Sequence, residues 1–429
     1  MSLLLICFVL FLALGMPIAF VIGIAGLAYF ISAGEPLTIA VQRIVAQSQS
    51  FTFLAVPFFI FAGNLMNVSG ITERLLGLAR LLTRRMYGGT AQISVVMSTL
   101  MGGVSGSATA DAAMETRILG PEMLRLGYKK GYICAVNCIA ALITATIPPS
   151  LGLIIFGFIG EVSIGRLFAA GIVPGVLMTV FLMLTTSLTS RYYRYDPPRR
   201  ELPRLTLKEL GENLKDSIWA LLFPIILIVG IRFGVFTPSE SGAFAVVYSI
   251  LVGKFVYKEL TWKNFIEALV TSFKDNGAIM LIIALSGPFS YAITLVKLPV
   301  LLSSLIFGIT DNPQLLTLIM LGFLFITGMF VDSNVNFLLL TPIFLPMVTK
   351  VGMDPVHFGV LMATIVTLGV MTPPVGSALY TVCGIIDCPP EEYAKYSLPF
   401  LGAVLLELAI LVFLPQAVLW IPNMIFGAQ

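Results

Sequence analysis

The seven residues Thr146-Ile147-Pro148-Pro149-Ser150-Leu151-Gly152 interrupt an apolar run that could otherwise cross a bilayer as one helix. Two consecutive prolines remove two backbone donors and clash with the preceding turn, so a regular α-helix cannot continue through them. The residue before each proline is also driven out of the helical region. Backbone groups left unpaired at membrane depth are costly. A break of this kind persists only where protein buries it or where it lines a wet cavity. One Pro-Pro pair alone could be a packing kink. A second run, Met371-Thr372-Pro373-Pro374-Val375-Gly376-Ser377, repeats the feature and makes it a paired device.

Composition decides what surrounds the two breaks. Of 429 residues, 58% are hydrophobic and only 11% charged, with a mean hydropathy of +0.99. A soluble domain carries roughly 25% charge, and apolar stretches of about 20 residues recur along the chain. The expected fold class is therefore an all-α polytopic membrane protein. The net charge of +3 is no sign of nucleic-acid binding, because the basic residues cluster in short loops, as topology signals do. Cys7, Cys134, Cys138, Cys383 and Cys388 lie in or beside apolar segments. No other Cys or His is close enough in sequence to Cys134 and Cys138 to complete a metal set, so packing is the expected role. His357, the one histidine, is expected at an interface. With no Gly-rich phosphate loop, nucleotide-driven chemistry lacks its usual parts.

In chain order, Leu3 to Ile31 reads as one span containing Pro17. Leu37 to Asn67 reads as a polar lead-in followed by a span. Ile71 to Tyr87 interleaves arginines with leucines, the pattern of an amphipathic helix lying in the interface on the cytoplasmic side. From Gly88 to Glu122, a short apolar arm leads to Gly102-Gly103-Val104-Ser105-Gly106-Ser107-Ala108-Thr109-Ala110-Asp111, and both flanks are basic. An arm of about 14 residues is too short to cross, so this is a re-entrant hairpin. Phe265 to Phe273 reads as a second interfacial arm, ahead of a span over Gly277 to Leu295. Leu298 to Ile309 reads as a short apolar arm, and Pro399 to Ile421 as the last span.

An offset of 225 residues superposes the two Pro-Pro breaks, carries Gly103 onto Gly328, and carries Ser107 onto Asp332. Residues 1–190 form a first repeat with hairpin 88–122 and broken helix 131–160. Residues 191–238 are a cytoplasmic linker and connecting helix. Residues 239–429 form a second repeat with hairpin 312–350 and broken helix 354–386. Loop charges give the halves opposite topology, the arrangement of secondary transporters with midplane sites at broken helices.

A Na⁺ ion can be held by carbonyls that a break frees, with hydroxyls and amides completing the shell. The candidates are Gly103, Ser105, Ser107, Thr146, Pro148 and Ser150 in the first half. Gly328, Asp332, Asn334, Thr372, Pro373, Gly376 and Ser377 are their counterparts in the second. Helix N-termini at the tips favour a carboxylate between them. Gly106, Ser107, Thr109, Val331 and Ser333, with Pro149 and Pro374, are the candidate solute contacts. Asp332 is either a ligand or a helix cap, and Asp111 reads as a cap.

These residues resemble the large membrane subunit (DctM type) of the tripartite ATP-independent periplasmic, or TRAP, transporters, over essentially the whole chain. The resemblance rests on the hairpin Gly102 to Asp111, on Ile147-Pro148-Pro149-Ser150, on Asp332 with Asn334, and on Thr372-Pro373-Pro374-Val375-Gly376. It implies a Na⁺-driven elevator-type importer of organic acids such as sialic acid or C4-dicarboxylates, with Na⁺ as coupling ion and no organic cofactor. It further implies a periplasmic solute-binding protein (DctP type) and a separate small four-helix membrane subunit (DctQ type). The expected location is a bacterial inner membrane, with a cytoplasmic N-terminus and a periplasmic C-terminus. A stand-alone Na⁺/dicarboxylate symporter is the alternative. No nucleophile–base pair or metal set is visible that would make the chain an enzyme.

Overall fold

The computed structural model is helical throughout the described residues, which are 2–49, 54–197, 206–298, 300–301, 308 and 312–427. It opens with α1 (Ser2–Ala13) and α2 (Ile18–Ala33), and α1 folds back along α2. The single span expected over Leu3 to Ile31 is therefore two short helices. Gly15 takes φ 75° at the turn, and Pro17, which cannot donate, stands at the start of α2. α3 (Leu37–Ser48) exposes Thr38, Gln42 and Arg43, and α4 (Ala55–Val68) carries the apolar part.

α5 (Ile71–Thr83) leaves α4 at 65°. It buries Ile71, Leu75, Leu78 and Ala79, a stripe at helical spacing. Its arginines reach three other segments. Arg74 pairs with Glu259, Arg80 with Glu122 at 2.7 Å and Arg84 with Glu209 at 2.9 Å. α5 is thus a charged strut across one end of the molecule.

The first hairpin is α6 (Gly89–Gly102) and α7 (Ala108–Arg125). The first broken helix is α8 (Lys130–Ala140) with α9 (Leu142–Thr146), then α10 (Leu151–Ile159) after a bend of 44°. α11 (Ile164–Tyr193) follows. α12 (Leu207–Arg232) starts from a capping box of Thr206 and Glu209, so the polar linker segment and the next span are one helix. α13 (Pro238–Leu251) runs into a π-turn at Val252–Val256.

α14 (Trp262–Leu295) overturns the expected division into an interfacial arm and a span, because it is continuous for 34 residues. Side chains at the polar middle find partners on α4: Asp275 accepts from Asn64 at 3.3 Å, and Asn276 donates to the Pro57 carbonyl at 3.4 Å. Gly277 costs only about 1 kcal/mol of helix propensity. The arm expected over Leu298 to Ile309 lies largely outside the described residues.

The second hairpin is α15 (Pro313–Phe330) and α16 (Ser333–Lys350). The second broken helix is α17 (Pro355–Val370) and α18 (Ser377–Ile386). α19 (Pro390–Phe413) begins nine residues before the expected Pro399, since Pro389 and Pro390 open it in the positions a helix start accepts. α20 (Pro415–Phe426) closes the described chain. Among the described residues six helices are long and apolar enough to cross a membrane, or eight if each bent pair counts as one.

Helix bounds follow the offset of 225. Ala108–Arg125 maps onto Ser333–Lys350 residue for residue. Packing follows it as well. α10 packs on α16 and, at the equivalent positions, α18 packs on α7; likewise α4 packs on α13 and α14 on α2. The halves therefore hold each other through reciprocal contacts. Two further readings change. His357 is buried rather than interfacial, its Nε2 bonded to the Leu411 carbonyl at 2.9 Å. Cys134 gains cysteine neighbours that are remote in sequence.

α15 and α17 approach closely through glycines. A Cβ on Gly369 would lie 2.7 Å from the Gly328 carbonyl carbon, whereas one on Gly322 meets nothing within 4 Å. Gly369→Val is expected to destabilise by about 1–3 kcal/mol through overpacking. Gly322→Val makes the same change in helix propensity without a clash. Unfolding midpoints of the two variants in detergent that fall together would refute this packing.

Candidate ion and solute site

The first hairpin tip is shaped by one glycine. Gly106 has φ 65°, and a Cβ there would sit 2.5 Å from the Pro149 carbonyl oxygen. Only glycine lets the tip press against the break this closely. The amide of Leu151 donates to the Gly106 carbonyl at 3.5 Å, which joins tip and break. Behind the tip, Thr146 Oγ1 donates to Leu142 O at 3.1 Å and Ser150 Oγ to Ala145 O at 2.5 Å. The Ser150 hydroxyl thus takes up the Ala145 carbonyl, which Pro149 leaves without an amide donor, and the Thr146 hydroxyl adds a second donor to the last turn before the break.

Asp111 is not a cap. Fully buried in the first turn of α7, it accepts from Ser105 Oγ at 2.5 Å, and its Oδ1 has no partner. One turn on, Glu115 accepts from Ser94 at 2.5 Å and Ser98 at 2.8 Å, both on the opposite arm. Serines of α6 and the tip hold these two acids inside the hairpin.

Asp332 does cap, accepting the Asn334 amide at 2.9 Å at the start of α16. Asn336 ties the same tip by donating to Val331 O at 2.9 Å and to Asp332 O at 3.2 Å. At the second break Thr372 Oγ1 donates to Leu368 O at 2.7 Å, and the Tyr380 and Tyr393 hydroxyls donate to Pro374 O and Met371 O at 3.0 and 2.6 Å. The Pro148-Pro149 and Pro373-Pro374 peptide bonds are both cis.

A cavity of about 370 Å³ brings the two tips together. Ser105 and Ser107 line it from the first hairpin and Asp332 and Asn334 from the second, facing Asn64, Asn67 and Asp275 across the space. Its wall carries two carboxylates and several amide and hydroxyl groups, and no cationic side chain among the described residues. Gly106, Thr109, Val331 and Ser333 belong to the same tips. Pro148, Pro149, Thr146 and Ser150 sit buried behind the first tip. Gly328, Thr372, Pro373, Pro374, Gly376 and Ser377 gather around the second break, away from the cavity wall, and Gly103 backs onto Pro224.

The sequence reading missed Asn64, Asn67 and Asp275. Their signal was available: two amides one turn apart in an apolar helix, and an acid in the middle of a membrane-length one. Asn64 binds α14 twice, donating to Ser272 at 2.9 Å and to Asp275 at 3.3 Å.

The family model described as "Tripartite ATP-independent periplasmic transporter, DctM component" matches residues 5–417. The sialic acid TRAP transporter large permease protein SiaM of Vibrio cholerae is 34% identical, over 96% of this chain and 96% of its own length. The 2,3-diketo-L-gulonate TRAP transporter large permease protein YiaN of Escherichia coli is 32% identical, over 95% of each. The Alcanivorax borkumensis YdaH transporter shares the fold at a TM-score of 0.62 and 13% identity, over 88% of this chain and 87% of its own. The chain is a transport permease subunit of the membrane, not an enzyme, and it belongs to the DctM family of tripartite ATP-independent periplasmic transporters.

Proposed function

We propose that this subunit imports an organic acid anion, coupled to Na⁺, through the cavity between the hairpin tips. The observation that carries the reading is the wall itself: Asp275 and Asp332 with Asn64, Asn67, Ser105 and Ser107, unaccompanied by a cationic side chain. Such a space repels an anion until a cation has entered it. Hydroxyls already donating to a carboxylate or carbonyl keep lone pairs for a metal ion. Ser105, held by Asp111, is pre-oriented for this role. Once Na⁺ is bound, the N-terminal ends of α7 and α16 supply positive potential for a carboxylate.

The two permeases named above are named for sialic acid and 2,3-diketo-L-gulonate, and a sugar acid is the proposed solute. The proposed assembly includes a small DctQ-type membrane subunit and a DctP-type binding protein, in a bacterial inner membrane with the α5 end facing the cytoplasm. The two repeats, 1–190 and 239–429 joined by 191–238, are proposed to lie inverted across that membrane. The contact of α10 and α16 with α4 and α14 is the surface against which the hairpins and broken helices would travel.

The test is uptake of labelled sialic acid, 2,3-diketo-L-gulonate and succinate into proteoliposomes holding the membrane subunits, with and without binding protein. Uptake that needs both a Na⁺ gradient and the binding protein supports the reading. Uptake by this chain alone makes it a stand-alone symporter, and flux that ignores Na⁺ and follows voltage removes the coupling. Asp275→Asn and Asp332→Asn are each expected to raise the half-saturating Na⁺ concentration about tenfold, which is about 1.4 kcal/mol. Asp332→Asn keeps an oxygen for the Asn334 amide, so its folding should be spared. Ser105→Ala removes one ligand and should weaken Na⁺ dependence in the same direction; unchanged Na⁺ curves in all three would end the assignment.

A further inference from the structure

Away from the transport cavity, three cysteines meet that the sequence keeps far apart. Cys134 lies in α8, Cys383 in the last turn of α18, and Cys388 in the turn before α19. Their sulfur atoms all lie within 4.8 Å of one another. Exposure is 0%, 3% and 6% in that order. Cys7 and Cys138 do not belong to the group.

The local backbone is bent to make this meeting. Asp387 closes α18 with φ 58°, a left-handed conformation uncommon in residues other than glycine. The turn brings the Cys388 amide back to the Cys383 carbonyl at 2.9 Å, which lays one thiol over the helix end beside the other. α8 crosses at this point. Lys130 donates to the Asp387 carbonyl at 2.9 Å, and the Gly131 amide donates to Glu392 at 3.2 Å, so the first half of the chain is fastened to the second around the thiols.

We propose that Cys134, Cys383 and Cys388 form a trithiolate site for a thiophilic divalent d¹⁰ cation, Zn²⁺ above all, with water in the fourth position. Zn–S bonds of about 2.3 Å place tetrahedral sulfurs about 3.8 Å apart, so the observed spread closes with small side-chain shifts. Two of the thiols now rest on carbonyls, Cys134 on Val382 at 3.6 Å and Cys388 on Pro389 at 3.4 Å. Binding breaks those weak bonds and forms three metal–sulfur bonds. Up to three protons are released to water, one from each thiol. The exposed residues Asp387 and Pro389 leave the site one residue below the surface, which gives an ion a short way in. An ion there bolts α8 to the α18–α19 turn and so joins the two broken helices at one end.

The test uses the purified full-length chain, reduced and metal-free, titrated with Cd²⁺ as an absorbing stand-in and then with Zn²⁺ in competition. One equivalent of Cd²⁺ is expected to raise a thiolate-to-metal charge-transfer band, which Zn²⁺ then removes. Cys134→Ser, Cys383→Ser and Cys388→Ser should each lose the band, while Cys7→Ser and Cys138→Ser retain it. A band that survives Cys388→Ser, or no band in the unaltered chain, overturns the site. Because a buried substitution could misfold the chain, a second reading uses the unaltered protein: Zn²⁺ should slow alkylation of Cys388 at least tenfold, followed by mass spectrometry of the peptide. Alkylation at the same rate with and without Zn²⁺ overturns the proposal, as does a Cys383–Cys388 disulfide forming on mild oxidation in a chain that binds no metal.

Discussion

The structure depends on keeping backbone polar groups satisfied at two places where helices are deliberately broken inside an apolar core. Water cannot do this at membrane depth. At the first break, Thr146 and Ser150 return their hydroxyls to carbonyls of the incoming helix, and the amide that opens the outgoing helix finds the hairpin carbonyl of Gly106. At the second, Thr372, Tyr380 and Tyr393 serve the same need. The first hairpin and both broken helices are completed by something outside themselves, the hairpin and first break by each other and the second break by Tyr393 of α19. A glycine at the tip is the condition for the approach of the first hairpin to the first break.

Much of this was legible in the sequence, because the signals were of the kind that survive without tertiary context. A repeated Pro-Pro pair, a cluster of small residues between short apolar arms, and an arginine-leucine interleave each narrow the options sharply in a lipid setting. What was not legible depended on partners remote in the chain. The continuity of α14 past Asp275, Asn276 and Gly277 is secured by α4, more than two hundred residues earlier. The role of Asp111 is set by Ser105 across a tip, not by its place in a helix turn. The fold-back at Gly15 looked like a kink within one span because length alone suggested a crossing. The cysteines read as packing because their spacing concealed their meeting.

The cavity inverts a simple expectation about recognising an organic acid. An arginine clamp would be the usual way to hold a carboxylate, yet the wall offers acids and amides. Attraction for the anion would, under the proposed function, be supplied by an ion that arrives first, together with helix ends whose partial charges are fixed by the fold. Under the proposed function, this makes the order of binding a matter of electrostatics and not of gating. On that reading an empty or half-loaded site would be unattractive to its own solute.

The reciprocal pairing of the halves has one departure. Of the two crossed pairs, α10 with α16 rests on α4 and α14, while α7 with α18 has no comparable rest on those helices among the described residues. Under the proposed function, the opposite seating, with α18 against α14 and α7 against α4, would be the other end of the transport movement.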